Sequence, residues 1–387
     1  MIKKHPDYST NILLTVYILS ILYIVFNAFT SRFSFIDEII CIILLFYAFF
    51  NGKILYRKEF IIFSLVVIAY FIYSLIIKIN TQIAVTRDFF QFMKPFFCFY
   101  AAYYGSISIT ENQKKHTKRL SYILAIYCYC ILPFIKDLYP NTTDYYHACT
   151  FTGLLYLFSS KMRKKDFIIF TIMLFPGLAS FRSKFSAEFI VYAFMLWGVK
   201  KTIKPSLNMI LGISLISIVA IWANYTKFSA YFITGYDEGM ARTLMYYTSF
   251  DLLKDFFPLG SGFGTFGTDA SGLYYSPIYY NYGLYLIYGC TPDDYGTDSS
   301  FFMDTFYPVI IGQFGLTGII LFVTFWYKRL KEASSIAIEK YKLFIIMFMY
   351  LAIEGIASGI FLGAQTVPAM MTIGLCINLK NKNLCLT

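Results

Sequence analysis

Apolar runs separated by short basic clusters recur along almost the whole chain, and this pattern restricts the fold more than any other feature. About 30 Å of membrane hydrocarbon needs ~20 helical residues. Only 14% of the residues are charged, whereas a soluble domain carries about a quarter. The sequence therefore predicts an all-α, polytopic bundle of about twelve transmembrane helices. The runs are 11–30, 34–50, 60–79, 89–109, 120–136, 146–160, 166–181, 185–199, 207–224, 304–327, 343–361 and 364–379.

The basic residues predict which side of the membrane each connection occupies. With a cytoplasmic amino terminus and alternating crossings, 23 of the 33 Lys and Arg residues fall in cytoplasmic segments, as the positive-inside rule requires. Both termini are then cytoplasmic. The net charge of +11 is explained by these clusters, so we expect the lipid bilayer, and no nucleic acid, as the partner of the basic residues.

The same count divides the chain into three parts. Residues 1–224 form an amino-terminal transmembrane bundle of about nine helices, residues 225–303 a large extracytoplasmic loop, and residues 304–387 a carboxy-terminal group of about three helices. Connections as long as this loop are usually functional or disordered, and its many aromatic residues argue against disorder. The run 271–296 predicts an ordered lid or substrate-binding surface.

Arg242 is the first candidate for anion binding. The stretch 240–257 predicts a helix on which Asp251, Lys254 and Asp255 share one face, with Arg242 on the opposite face. A guanidinium that points away from water needs an anionic partner, and its fork suits a phosphate or a carboxylate. A structural ion pair and snorkelling to the membrane interface are the alternatives that need no substrate.

Arg182 and Lys184 occupy the turn between the seventh and eighth apolar runs. The predicted topology places them outside, where basic residues are depleted. Cations held against apolar helices are costly and often functional, so we expect them to bind an anionic group. Anchoring to lipid headgroups and pairing with Glu188 are the alternatives.

Asp304 stands at the outer membrane boundary, where the large loop ends and the tenth run begins. It is a candidate general base, and equally a candidate helix N-cap, a position that Asp favours. Gly312, Gly315 and Gly318 predict close helix packing in the same run. The intramembrane charges elsewhere, Glu354 and Lys94, suit either transport or buried ion pairs.

The segment 262–267 matches the pattern GxGxxG. That fingerprint indicates a dinucleotide site only between a strand and a helix of a βαβ unit, so here the glycines predict sharp turns or close approach of the backbone. The loop 225–303 contains no histidine, and the eight cysteines of the chain are scattered. We therefore expect no metal site and no Ser-His-Asp catalysis.

Several segments, in order and spacing, resemble the O-antigen polymerase and O-antigen ligase superfamily. The resemblance covers roughly residues 180–320, and the amino-terminal third agrees in topology alone. The segments that carry it are Phe181-Arg182-Ser183-Lys184, Arg242, Pro258-Leu259-Gly260-x-Gly262-x-Gly264 and Gly315-Leu316-x-Gly318.

The resemblance implies a metal-independent, inverting glycosyltransferase without a cofactor, which acts in the bacterial cytoplasmic membrane with its site facing the periplasm. Its substrate would be an oligosaccharide linked to undecaprenyl diphosphate, and a chain-length regulator is a further possible partner. Ligases of this superfamily carry a His-Asn pair eleven residues before the glycine of the GLxG segment. Here Asp304 and Thr305 stand there, which favours a polymerase.

The resemblance also assigns roles to the candidate residues. Arg182, Lys184 and Arg242 would bind the diphosphate, and Arg242 would also stabilise charge during catalysis. Asp304 would accept the proton of the acceptor hydroxyl. A ligase of the same superfamily, and a flippase or transporter for lipid-linked oligosaccharides, are the alternative functions.

Overall fold

Every regular element in the described part of the chain is helical, as the apolar runs predict. The structure is a computed structural model that describes residues 8–26, 36–51, 54, 57–105, 109–139, 141–198, 225, 229, 234–297 and 299–378. Its α-helices are α1 Tyr8–Val25, α2 Ile36–Asn51, α3 Lys58–Ile77, α4 Gln82–Tyr104, α5 Glu111–Ile131 with its continuation to Leu138, α6 Thr142–Ser159, α7 Lys164–Leu174, α8 Ser183–Gly198, α9 Ala241–Asp255, α10 Asp269–Leu273, α11 Pro277–Asn281, α12 Tyr307–Ala333, α13 Ile338–Glu354 and α14 Thr366–Cys376.

Eleven of these helices, α1–α8 and α12–α14, overlap predicted apolar runs, whereas α9–α11 lie within the stretch 225–303 that the sequence assigned to the large loop. The ninth run, 207–224, lies outside the described residues. Among the described residues, α3, α5 and α12 are long and apolar enough to cross a membrane. Shorter apolar helices are Ile12–Val25 and α14. The chain thus has the helices of a membrane protein, while twelve crossings, their sidedness and the boundaries of the large loop stay predictions.

Helix α14 packs along α4, which also contacts α2 and α3. The two backbones approach closely at Gly374, where a Cβ atom would lie 2.6 Å from the carbonyl oxygen of Phe99. Further along, the Asn378 amide donates to the carbonyl oxygen of Ala102 at 3.0 Å. A small residue at a helix crossing lets two apolar helices approach closely and gain dispersion contacts. The packing at Gly374 therefore holds α14 against α4.

Helix α12 is broken at Gly315, whose backbone is left-handed with φ 59°. In an unbroken helix the Thr317 N–H would donate to the carbonyl oxygen of Gln313. Here it donates instead to Pro258 at 3.2 Å, and the freed Gln313 carbonyl accepts from the Gly262 N–H at 2.8 Å. The glycine-rich segment therefore fills the break and satisfies its backbone groups, as buried polar backbone requires.

We expect Gly315→Ala to destabilise the fold much more than Gly283→Ala. Both glycines have positive φ, which costs a side-chain-bearing residue ~1–2 kcal/mol. A Cβ at Gly315 would also lie 2.5 Å from the Gly260 nitrogen, whereas Gly283 has nothing within 4 Å. The overlap raises the cost to about 2–5 kcal/mol. Thermal unfolding of the detergent-solubilised variants measures the difference, and equal shifts would contradict the packing described.

The region that follows residue 234 folds around a small core of its own. Helices α9, α10 and α11 and two short 3₁₀ turns surround it. Asp294 organises the last turn by accepting the N–H groups of Gly289 and Thr291, both at 2.9 Å. Hydrogen bonding from the Thr291 hydroxyl lowers the pKa of Asp294. The buried apolar residues of this core are Ala241, Met245, Leu252, Phe266, Ile278, Tyr279, Leu284, Cys290 and Phe302.

Candidate functional site

Arg242 and Asp304 form an ion pair between α9 and the turn that precedes α12. The Arg242 Nη2 atom lies 2.5 Å from Asp304 Oδ2. The two side chains are 21% and 30% exposed, so a ligand can reach both. Asp251 and Lys254 on the opposite face of α9 are exposed, as predicted. The structure thus provides an anionic protein partner for Arg242, which is the ion pair that the sequence allowed as an alternative to substrate binding.

The alternative that Asp304 caps α12 is wrong. The helix begins at Tyr307, with Phe306 at the cap position and no side-chain hydrogen bond to the first turn. Pro308 in that first turn lacks an N–H group, so fewer donors need a cap. The Asp304 carboxylate is left to interact with Arg242.

Lys184 and Arg182 diverge at the start of α8, although they are only two residues apart. The Lys184 ammonium points inward and donates to Glu354 Oε2 and to the carbonyl oxygen of Ala357, both at 3.0 Å. The Arg182 side chain is exposed and donates from Nε to the Thr142 hydroxyl at 2.9 Å. The structure therefore does not bring the two predicted diphosphate ligands to one point.

Glu354 is the carboxylate partner of Lys184, a pairing that the sequence did not reveal. Its side chain is fully buried and also accepts from the Tyr146 hydroxyl at 2.6 Å and from the Ser358 hydroxyl at 2.9 Å. Glu188, proposed as an alternative partner for Lys184, is fully buried on α8 and accepts instead from the hydroxyl of Tyr192 at 2.9 Å. Glu354 thus belongs to a buried ion pair, which is one of the two roles, with transport, that the sequence allowed for it.

One short segment, residues 355–359 after α13, joins the two ion pairs. The Phe306 N–H donates to the carbonyl oxygen of Gly355, and the Tyr246 hydroxyl donates to that of Ile356. The Lys184 ammonium donates to the carbonyl oxygen of Ala357, and all three distances are 3.0 Å. The last N–H of the segment donates to the carbonyl oxygen of Met303 at 2.5 Å. Tyr246 lies one turn after Arg242, and Met303 and Phe306 flank Asp304. The two pairs, Arg242–Asp304 and Lys184–Glu354, therefore meet on this segment, and we call them together the paired-charge site.

A second set of polar contacts ties the large loop to the start of α4. Arg87 Nη2 lies 2.7 Å from Asp269 Oδ2, and the Tyr295 hydroxyl donates to the other oxygen of Asp269 at 2.7 Å. Burial and this hydrogen bond raise the pKa of Tyr295 to about 12, so it stays a neutral donor at pH 7. Arg87 of α4 is thus paired with Asp269, the first residue of α10.

The glycine motif at 262–267 is wrapped around buried side chains. The Phe263 N–H donates to the Ser74 hydroxyl at 2.8 Å, and the Gly264 N–H donates to Asp88 Oδ2 at 2.7 Å. The Thr265 N–H donates to the Gln313 amide oxygen at 2.8 Å. The last N–H donates to the Tyr279 hydroxyl at 3.0 Å. Groups that cradle a phosphate must be directed at it, and these are directed at protein.

Lys94, the other intramembrane charge noted in the sequence, is paired as well. Its ammonium contacts Asp37 and lies 3.3 Å from Glu38 Oε1. Within the described residues, no group of three or more His, Cys, Asp or Glu side chains is placed to hold a metal ion.

Comparison of the chain with known protein families, with curated proteins and with solved structures finds no match. Function is therefore inferred from the paired-charge site and from the motifs within residues 180–320.

Removing Lys184 should destabilise the protein, because it would leave the carboxylate of fully buried Glu354 without its cation. Breaking one side of a buried pair typically costs about 3–5 kcal/mol, whereas replacing both partners by apolar groups costs much less. We expect Lys184→Met to lower the free energy of unfolding by about 3 kcal/mol and Lys184→Met/Glu354→Met to recover most of it. Denaturant unfolding in detergent tests this. The matched control is Arg182→Met, and a Lys184→Met effect no larger than the control's would contradict the assignment.

Proposed function

We propose that the chain is a polysaccharide repeat-unit polymerase of the bacterial cytoplasmic membrane. It would transfer a growing glycan from undecaprenyl diphosphate to a single lipid-linked repeat unit on the outer side. The observation that carries the proposal is the partly exposed Arg242–Asp304 pair, which places a guanidinium fork and a carboxylate 2.5 Å apart where the loop region meets α12.

The pair suggests how the two groups act in turn. A diphosphate carries more charge than one carboxylate, so it would displace Asp304 from Arg242 on binding. The freed carboxylate of Asp304 would then take the proton of the acceptor hydroxyl. The acceptor oxygen attacks the anomeric carbon while the bond from that carbon to the diphosphate oxygen breaks. Undecaprenyl diphosphate leaves, with its developing charge stabilised by Arg242, and the anomeric centre is inverted.

The other two predicted diphosphate ligands take different parts in this proposal. Lys184 is neutralised by Glu354 and bonded to the segment 355–359, so it would position Tyr246 and Asp304 through that segment. Arg182 lies on the exposed surface beside Thr142 and would contribute a weaker, longer-range attraction for anionic groups.

The surface of the loop region suits a glycan. No Lys or Arg occurs between Lys254 and Lys328, whereas residues 255–306 contain six Asp. Tyr280, Tyr285 and Tyr288 are exposed there. Aromatic rings stack on the apolar faces of sugars, and carboxylates accept hydrogen bonds from sugar hydroxyls. The negative charge also disfavours binding of this surface to anionic lipid headgroups.

A transporter of lipid-linked oligosaccharide is the second candidate, and the break in α12 at Gly315 favours it. Discontinuous helices near the bilayer centre commonly form the binding sites of transporters. Here, however, the freed backbone groups are used by residues 258–262, which leaves them no role in binding a substrate. The polymerase therefore remains the better-supported function.

The test is the banding pattern of the surface polysaccharide in a strain that lacks this chain, with and without complementation. A polymerase predicts that the ladder collapses to core plus one repeat unit and returns with the wild-type gene. Complete loss of surface units would support a ligase or a flippase, and long polymer retained on the lipid carrier would single out a ligase. An unchanged ladder would contradict the proposal for that glycan.

A further inference from the structure

An apolar groove runs between α3, α4 and α12. Its volume is about 500 Å³, and it is lined by side chains that include Val66, Phe92, Phe96 and Leu321. Ile62 and Leu321 are exposed at its rim, so the groove opens sideways. In a helix bundle such an opening faces the hydrocarbon of the membrane.

Charge is confined to one end of the groove. Lys58, Glu59 and Lys328 line that end, and Lys328 Nζ lies 2.7 Å from Glu59 Oε2. Lys58 makes no ion pair within the described part of the chain. The charged residues at these ends of α3 and α12 are five basic and two acidic, a surplus of three positive charges: Arg57, Lys58, Lys328, Arg329 and Lys331 against Glu59 and Glu332.

A buried guanidinium keeps Glu59 from neutralising both lysines. Arg329 is fully buried, contacts the Glu59 carboxylate and lies over the rings of Phe99 and Tyr103, at 5.3 and 4.9 Å from their centroids. Since Arg329 takes one oxygen of Glu59 and Lys328 takes the other, the ammonium of Lys58 remains for an external anion.

The opposite end of the groove is closed and apolar. Phe263 of the glycine-rich segment meets Phe314 there, with ring centroids 4.9 Å apart. From Lys58 to Tyr70 the groove follows α3 for about 18 Å at 1.5 Å per residue. A ligand that fits is a single hydrocarbon chain with an anionic head.

We propose that this groove binds an anionic phospholipid, with its phosphate between Lys58 and Lys328 and one acyl chain along α3 and α12. Basic pockets between transmembrane helices recognise such headgroups. In the predicted topology this end faces the cytoplasm, so the lipid belongs to the inner leaflet. Asp304 precedes Tyr307, the opposite end of α12, and about 30 Å of helix separates that end from Lys328. The groove is therefore separate from the paired-charge site and does not depend on the proposed function.

The test uses the full chain in phosphatidylcholine nanodiscs that contain trace phosphatidylglycerol with a photoreactive diazirine in its acyl tail. We expect crosslinks on peptides of α3 and α12, competed by unlabelled phosphatidylglycerol and not by additional phosphatidylcholine. Lys58→Gln/Lys328→Gln should reduce this labelling at least about tenfold, because each cation contributes to headgroup affinity. Val66→Trp, which fills the groove and keeps its charges, should reduce it as well.

The matched control, Lys115→Gln/Arg119→Gln, removes two exposed charges from another predicted cytoplasmic cluster and should leave labelling unchanged. Equal loss in this control would overturn the proposal by showing that general surface charge is responsible. Labelling that persists in Lys58→Gln/Lys328→Gln, or competition by phosphatidylcholine, would overturn the anionic headgroup site. Each variant is compared by its melting temperature in phosphatidylcholine alone, so that a folding defect is separated from loss of lipid.

Discussion

Arg242→Ala should abolish polymer formation while the protein still folds and inserts. The guanidinium is the cation that the proposed diphosphate would meet next to Asp304. Loss of one preorganised donor to a developing charge typically costs 10²–10³ in rate, and here a full charge is lost. The ladder of surface polysaccharide should collapse to a single repeat unit in cells that express this variant at the wild-type level.

Two further variants separate the effect of the Arg242 guanidinium fork from the effects of its positive charge and of general surface charge. Arg242→Lys keeps the charge but loses the planar fork, so it should restore only a small part of the activity. Arg182→Ala removes an exposed arginine that donates to the neutral side chains of Thr142 and Asn141, so it should retain most of the ladder. A full ladder with Arg242→Ala, or an Arg182→Ala defect as large, would contradict the role assigned to Arg242.

Asp304→Asn should lower the rate of transfer by about 10²–10⁴, the usual effect of removing a general base. The neutral amide no longer competes for Arg242, so the donor should bind as tightly as before or more tightly. We therefore expect a large fall in kcat with an unchanged or lower KM for the lipid-linked donor, measured on the purified protein.

Asp251→Asn is the matched control for this substitution, because it makes the same chemical change on the exposed face of α9, the helix that carries Arg242. It should leave both constants near the wild-type values. If Asp304→Asn instead raised KM with kcat unchanged, Asp304 would act in binding alone. If it changed neither constant, another group would have to accept the proton.

The helices could be predicted from the sequence because the membrane imposes a local rule. Each apolar run must form its own backbone hydrogen bonds, so runs such as 60–79 and 304–327 closely match α3 and α12. The break at Gly315 could not be located in this way. It depends on carbonyl groups that are satisfied by the segment around Pro258, more than fifty residues away.

The sequence indicated Arg242, Asp304 and Lys184 as candidate site residues, but it did not indicate which residues pair with each other. The sequence indicated that Arg242 needs an anion, but its partner Asp304 lies 62 positions later, and Lys184 and Glu354 are 170 positions apart. The divergence of Arg182 and Lys184 follows from their spacing. Residues two apart on a helix point about 200° away from each other, and these two stand where α8 begins.

The most direct test of the polymerase proposal is reconstitution of the purified chain in nanodiscs with one defined repeat unit on undecaprenyl diphosphate. No nucleotide sugar and no other enzyme is added. The products are separated by length and assayed for released undecaprenyl diphosphate. We expect a ladder of two, three and more repeat units, with one carrier released for each bond formed, and no ladder with Arg242→Ala. A wild-type protein that leaves every repeat unit single, with no carrier released, would contradict the proposed polymerase.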